Sequence, residues 1–498
     1  MSYIKYKIIH FFTLGCLFFS LNSCTEDIET LRENPNQPAN AALSNILPSI
    51  IKNTANITVE QSFLVGNNAA QLTAKSHVLE VDVYSWRGFS TWNSIYNVLR
   101  DVNVLEQQAI FEENKAFEAV AVIWRCYLFS ILTDMYGDIP YSEALQGQSA
   151  ANFRPKYDTQ EEIYTGEKGL LKELGRANDI LNGNRPNIDG DILFDNDLNK
   201  WQRFCNSLRL RLLVRISKQK NVTVELTDLL TNTNQLMQSN TDNAVLKYQG
   251  AVANNNPIRQ LKSGDFDAVR IGENLVRTFN LTSDPRLGVY ARQTDGTIND
   301  LNNAVYLGWQ NGNCDTDGNR LGLIYYDYPT HPTSEKKADG IFMTYSEVKF
   351  LQAEIVQRGL VLTGSSAETL YNEGIEAALD YYDVDERTFG WNSRADFINS
   401  ANIKYDQNLN TIWKQKWISL YFSGLEGYIE VRRWLDYHNG DWTQLSFLSA
   451  PCGNQNGDQL PARFVYPASE GTLNSDQFNI ATSRMGGNTQ NTKMWLIK

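Results

Sequence analysis

Apolar residues recur along much of this chain with the period of an α-helix. Between 115 and 136, Phe117, Val120, Ala121, Trp124, Leu128, Ile131 and Leu132 stand at successive one-turn spacings. Such spacing draws one buried stripe down a helix. Gly137 then supplies a stop, with Pro140 just beyond it, the usual punctuation of a helix C-terminus. Residues 198–216 repeat the arrangement with Trp201, Phe204, Cys205, Leu208, Leu212 and Ile216. The same periodicity predicts helices at about 43–56, 90–109, 160–181, 345–358, 367–381 and 409–434. It is lost between about 240 and 340, where Gly, Asn, Asp and Tyr dominate, and again after about 436. Long loop-rich stretches on a rigid scaffold usually carry function. Paired helices suggest a helical-repeat solenoid, although no clean repeat of about 34 residues is present.

The N-terminus has a different pattern. MSYIKYK carries two lysines, and IIHFFTLGCLFFSL (8–21) is a short apolar run. These are the charged and apolar regions of a secretory signal, and the run is too short for a comfortable membrane span. LNSC (21–24) resembles a bacterial lipobox, with Leu at −3, a small residue at −1 and then Cys24. In such signals the thiol receives a diacylglycerol, cleavage precedes the cysteine, and buried acyl chains anchor the protein. The reading is a leader over 1–23 and a lipidated tether over 24–42. Glu26 and Asp27 resemble a surface-export signal. No later run approaches 18 apolar residues, so no transmembrane helix is expected after the leader.

Composition narrows the picture. The 498 residues are 42% hydrophobic, enough to bury a large core and too many for a disordered chain. The net charge is −12, and loss of a leader holding Lys5 and Lys7 would make it more negative. With no basic stripe, nucleic acid is a poor partner. Arg203, Arg209, Arg211 and Arg215 flank the apolar stripe of 198–216. They read as partners for acids, with stems laid on the core, in preference to a phosphate site. Cys126 and Cys205 lie on apolar helix faces and read as small buried hydrophobes. Cys314 and Cys452 lie in polar loops and are free to pair, but their spacing does not decide it.

Candidate chemistry is sparse. No CxxC pair or zinc spacing occurs. DTDGN (315–319) alternates oxygen ligands as a calcium loop does, but Arg320 stands where an EF-hand needs Gly and Tyr326 where it needs Glu. A polar turn is the better reading, and no metal or cofactor is expected. Only His77, His331 and His438 follow the leader. GxSxG, HExxH, Walker A and GxGxxG patterns are absent, so the chain is not read as an enzyme.

What remains is binding. Sugar rings expose flat C–H faces that an aromatic ring can cover, while amides and carboxylates read the hydroxyls. Two stretches combine these features. EVDVYSWRGFSTWN (80–93) offers Tyr84, Trp86 and Arg87, with Trp92 and Tyr96 read as core. YLGWQNGNCDTDGNRLGLIYYDYPTHP (306–332) offers Tyr306, Trp309, Tyr325, Tyr326 and Tyr328 among Asn, Asp and Gly. The candidate ligand residues are Trp309 first, Trp86 second, then Tyr84, Tyr306, Tyr325 and Tyr326.

Six stretches, in order along the chain, resemble one family. They are LTDMYGDIPYSEAL (132–145), KYDTQEEIY (156–164), KWQRFCNSLRLRLLVRIS (200–217), MTYSEVKFLQAEIVQRG (343–359), IWKQKWISLYFSGLEGYIEVRRW (412–434) and LPARFVYPASEGTLNSDQFN (460–479). The resemblance is to the SusD/RagB-like nutrient-binding outer-membrane lipoproteins, most of all the branch typed by YGDIPYSEAL. It implies a mainly α fold, with four tetratricopeptide-like helix pairs as scaffold, a loop-rich ligand-facing part and an irregular C-terminal tail. The single domain would span 43–498, with scaffold at 43–239 and 341–435, the insertion at 240–340 and the tail at 436–498. The implied role is a lipid-anchored lid at the cell surface. It would capture oligosaccharide, or peptide as in RagB, and deliver it to a SusC-like TonB-dependent transporter in the outer membrane. The family's ligand arc draws on an aromatic segment before an early helix and on mid-chain loops, to which the two aromatic stretches correspond in position. A surface glycan-degrading enzyme and an adhesion protein are the rival readings.

Overall fold

Helix α1, Leu43–Gln61, buries Leu47, Ile50, Ile51, Ala55 and Val59 and packs on α2, Thr91–Phe111. Next come α3, Lys115–Tyr136, α4, Leu170–Asn182, and α5, Leu198–Ile216, each packed on the one before. The chain then passes through α6, Glu273–Thr282, to α7, Tyr345–Gln357, which packs on both α5 and α8, Ala367–Tyr381. α9, Leu409–Ser419, lies on α7, α10, Glu426–Tyr437, contacts α9, and α11, Ser475–Met485, closes the series. The fold is mainly α, a stack of paired helices of the tetratricopeptide-like kind. This computed structural model describes residues 42–498 apart from 78, 184, 232–234, 249–254, 263–264, 266–267, 292–305, 307, 313 and 315–338. Cys24, Tyr325, Tyr326, Tyr328 and the DTDGN turn lie outside the described residues.

The ends of α3 follow from its sequence. The Asn114 side chain accepts a hydrogen bond from the Phe117 N–H at 3.2 Å, satisfying a donor the helix itself cannot. Gly137 at φ 81° ends it, a backbone geometry that favours glycine. α3 is long and apolar enough to cross a membrane, yet it is buried inside the fold. Burying a side chain such as Leu128 is worth roughly 1.5–3 kcal/mol, so the stripe read from the sequence is the spine of the main core.

Two expected helices are each divided. The segment 160–181 breaks at Gly166–Gly169 into Gln160–Thr165 and α4. The segment 409–434 breaks between α9 and α10, where Phe422 at φ 63° and Gly424 at φ 66° turn the chain. The loop-rich insertion and the irregular tail also hold regular structure, α6 in the first and α11 in the second. Three short antiparallel ribbons staple remote segments together. β1, Thr73–Lys75, pairs with β5, Val269–Ile271; β2, Ile139–Pro140, with β3, Tyr157–Asp158; and β4, Ala244–Leu246, with β6, Gly340–Met343. Strands of two to four residues carry too little periodicity to be read from sequence.

The arginines of α5 are tied into the core. Arg211 grips Glu347 through two bonds of 2.7 and 2.6 Å. Arg215 bonds Asp134 at 2.5 Å and also reaches Glu426. Further along, Arg433 bridges Glu354 and Glu430, Lys416 meets Glu430 at 3.0 Å, and Arg358 meets Glu354 at 3.1 Å. These linked pairs hold five acids and five bases, so the buried network is electrically neutral. Arg203 pairs with Asp242 at 2.9 Å. Arg209 makes no ion pair among the described residues. Cys126 and Cys205 are buried free thiols, as their helix faces suggested.

Candidate functional site

Trp309 is placed by backbone. Its N–H donates to the Ile271 carbonyl at 2.8 Å, and its carbonyl accepts from the Glu273 N–H at 2.9 Å. The residue therefore adds a parallel bridge beside β5, at the start of α6. The approach is close enough that a Cβ on Gly308 would stand 2.3 Å from the Glu273 Cα, so only glycine fits before the tryptophan. Trp309 is half-buried. Tyr306, also half-buried, packs against the second core cluster formed by α6, α9 and α10.

The residues that follow are stitched down. Buried Asn311 donates from Nδ2 to the Thr73 carbonyl at 2.9 Å, and its own carbonyl accepts from the Cys452 N–H at 3.1 Å. Cys314 is bonded to Cys452, with Cα atoms 5.7 Å apart, which settles the pairing that spacing alone left open. Beneath this loop lies Asp82, fully buried, accepting from the Lys75 N–H at 2.8 Å. Burial pushes the Asp82 carboxyl up. The Lys75 N–H and charge, the Gly312 N–H and the Asn311 amide pull it part of the way back, leaving it at about 7.

The early aromatic segment is placed differently from expectation. Tyr84 is completely buried, stacked on Trp442 with ring centroids 6.4 Å apart, and its hydroxyl accepts from Gln71 at 3.4 Å. Trp86 is 8% exposed and donates its Nε1 proton to the Val81 carbonyl at 3.1 Å. Tyr428 and Phe464 lie 5.1 and 5.4 Å from its ring. Both side chains belong to the core, so neither offers a free face to a ligand in this conformation. Of the three candidates Tyr84, Trp86 and Arg87, only Arg87 is exposed. Trp92 is core as read, 5.0 Å from Tyr96.

One concave feature was missed. A cleft of about 760 Å³ opens between the end of α10, the turn at 450–460 and the last residues of the chain, with Trp442 in its wall. Its signal was present in YHNGDWTQL (437–445): an aromatic among Asn, Gly and Asp, the criterion that singles out Trp309. Reading the tail as merely irregular hid it. Among the described residues no cluster of three or more His, Cys, Asp or Glu side chains could hold a metal.

A stack of helix pairs that carries a half-buried tryptophan on a stitched loop, and elsewhere an open cleft walled by a second tryptophan, suits a binding protein. A family model described as "Starch-binding associating with outer membrane", SusD-like, matches residues 35–467, and the chain belongs to that family. It is therefore a nutrient-binding protein of the outer membrane and cell surface, of the kind that serves a TonB-dependent transporter, and not an enzyme. Among solved structures, a SusD homolog from Bacteroides fragilis superposes with a TM-score of 0.75 at 23% identity, over 92% of this chain and 99% of that one. A chitin-binding SusD homolog from Flavobacterium johnsoniae gives 0.75 at 20% identity, over 92% and 99%. A SusD-like protein from Bacteroides thetaiotaomicron gives 0.73 at 19%, over 91% and 98%. At these identities the likeness concerns the fold. No curated protein matches the chain.

Proposed function

We propose that the protein captures oligosaccharides at the cell surface and delivers them to a SusC-like TonB-dependent transporter, acting as its lid and held to the membrane by lipid on Cys24. The observation that carries the capture step is the half-buried Trp309 on a fixed stretch of backbone. Two backbone bonds and a disulfide hold the segment that bears the ring, so little backbone freedom is lost on binding, and preorganisation of this kind favours affinity. Tyr306 borders the same loop, and Tyr325 and Tyr326 follow it in sequence. These four aromatics form the proposed ligand set, from which Tyr84 and Trp86 are withdrawn. The chitin-binding relative from Flavobacterium johnsoniae favours glycan over peptide.

Two experiments test this reading. Purification of the full chain from outer membranes in mild detergent should bring a barrel transporter with it, and purification without one counts against the lid. Cys24→Ala should release or mislocalise the protein. Unchanged fractionation with the outer membrane would remove the lipid anchor from the account.

A further inference from the structure

The cleft around Trp442 is built with care. Asp441 accepts from both the N–H and the hydroxyl of Thr443, at 2.9 and 2.7 Å, and so caps the single 3-10 turn Trp442–Gln444 that presents the indole. The ring is held twice more. Tyr84 stacks along it at an interplanar angle of 17°, and its Nε1 proton goes to the Asp458 carbonyl at 2.7 Å. The half-buried ring also borders the cleft. Around it stand the exposed amides Asn439 and Gln459, whose side chains make no hydrogen bond among the described residues. Trp309 and Tyr306 do not line this cleft.

Charge selects the class of ligand. Four basic side chains, Lys218, Arg432, Lys493 and Lys498, face three acidic ones, Asp436, Asp441 and Asp458. Lys218 is paired with Asp436 at 2.5 Å. Arg432 lies over the Tyr428 ring at 5.2 Å and donates to the Ala462 carbonyl at 2.9 Å. So near a balance attracts neither a polyanion nor a polycation. A fixed aromatic face with uncommitted amides beside it matches the alternating C–H faces and hydroxyls of a sugar chain. The volume falls within the roughly 300–1,000 Å³ of small-molecule sites.

We propose that the Trp442 cleft is a second glycan-binding site, distinct from the Trp309 loop, and that it takes a short neutral oligosaccharide. The proposal rests on the capture reading for its ligand class and on its own geometry for its place.

The test uses the full chain labelled with fluorinated tryptophan and titrated with maltohexaose, cellohexaose and chitohexaose. The Trp442 resonance is assigned by its loss in Trp442→Phe. It should shift with at least one of the three sugars, and Trp442→Ala should weaken that site about tenfold or more. Because Trp442→Ala also removes a stack on Tyr84, the double variant Asn439→Gly/Gln459→Ala supplies a second arm, with glycine suited to the left-handed backbone of residue 439 at φ 56°. Its exposed positions leave the fold intact, and the same site should weaken several-fold. A Trp442 resonance that all three sugars leave unmoved, or an affinity unchanged in both variants, overturns the proposal. Movement at Trp309 alone removes this cleft and keeps the capture reading. Movement at Trp442 alone does the reverse, and silence at both removes both.

Discussion

Cys314 and Cys452 stand 138 residues apart in the chain and are joined by a disulfide. The bond ties the loop that presents Trp309 to the segment that continues into the wall of the Trp442 cleft. Closing so long a loop restricts the unfolded chain, by up to about 5 kcal/mol in the chain-entropy view. A structural disulfide also suits a protein at the oxidising cell surface. Cys452→Ser should lower the melting temperature by several degrees, and reductant should do the same to the parent but not to the variant. Cys126 and Cys205 are buried and will not obscure the result. A melting temperature indifferent to both changes would show that the bond is not structural.

Asp82 gives the fold an unusual pH dependence. Its folded carboxyl, pushed up by burial to about 7, lies above the ordinary value of 3.8 that it regains on unfolding. Between those values the native state keeps a proton that the unfolded chain has released. The contribution of Asp82 is therefore full below about pH 4, declines as pH rises towards 7 and is flat beyond. The total is on the order of 4 kcal/mol. Asp82→Asn should be more stable than the parent at pH 8, and the gap should close as pH falls to 4. Urea unfolding across that range measures it, and a constant gap would remove Asp82 as its source.

Two acids of the neutral buried network, Glu354 on α7 and Glu430 on α10, behave in the opposite sense at low pH. Burial alone would push the Glu354 and Glu430 carboxyls up, but Arg433, aided by Lys416, outweighs it and holds both below the usual carboxylate range. Their contribution is present above the ordinary carboxylate value and is lost as pH falls through the depressed folded one. The pair Arg211–Glu347 tests the network directly. Arg211→Met leaves a buried carboxylate unpaired and should cost about 3–5 kcal/mol. Arg211→Met combined with Glu347→Leu should recover much of that loss. Denaturation midpoints of Arg211→Met, Glu347→Leu and the double variant decide it, since a double loss equal to the sum of the two single losses would mean that the two residues are not coupled.

How far the sequence could be read depended on periodicity. α3 and α5 were legible because long apolar stripes have few alternative explanations, and the flanking arginines were read as ion-pair partners, as Arg203, Arg211 and Arg215 prove to be. The breaks at Gly166–Gly169 and Phe422–Gly424 were not legible, since apolar residues on both sides of a turn can keep the helical phase. The β1–β5 ribbon that seats Trp309 joins residues about two hundred positions apart, and nothing local announces such a partner. Tyr84 and Trp86 show the same limit. An aromatic in a polar loop looks exposed until the tail, with Phe464 and Gln490, is folded over it.

That contrast yields a last experiment on Trp86 and Trp309. Trp86 lies among Phe89, Tyr428 and Phe464 with its indole proton satisfied, so Trp86→Ala opens a cavity in the main core. The expected cost is about 3–5 kcal/mol of stability. Sugar affinity per folded molecule should change little, because the buried ring has no face to offer. Trp309 is half-buried and held by its backbone. Trp309→Ala keeps those two bonds, should cost little stability, and should weaken capture of the cognate oligosaccharide by about tenfold or more. Thermal melts and titration calorimetry on the two variants separate the roles. If Trp86→Ala loses affinity while melting like the parent, the loop folds over differently in solution and Trp86 returns to the ligand set. If Trp309→Ala binds like the parent, capture must lie elsewhere, and the Trp442 cleft becomes the first place to look.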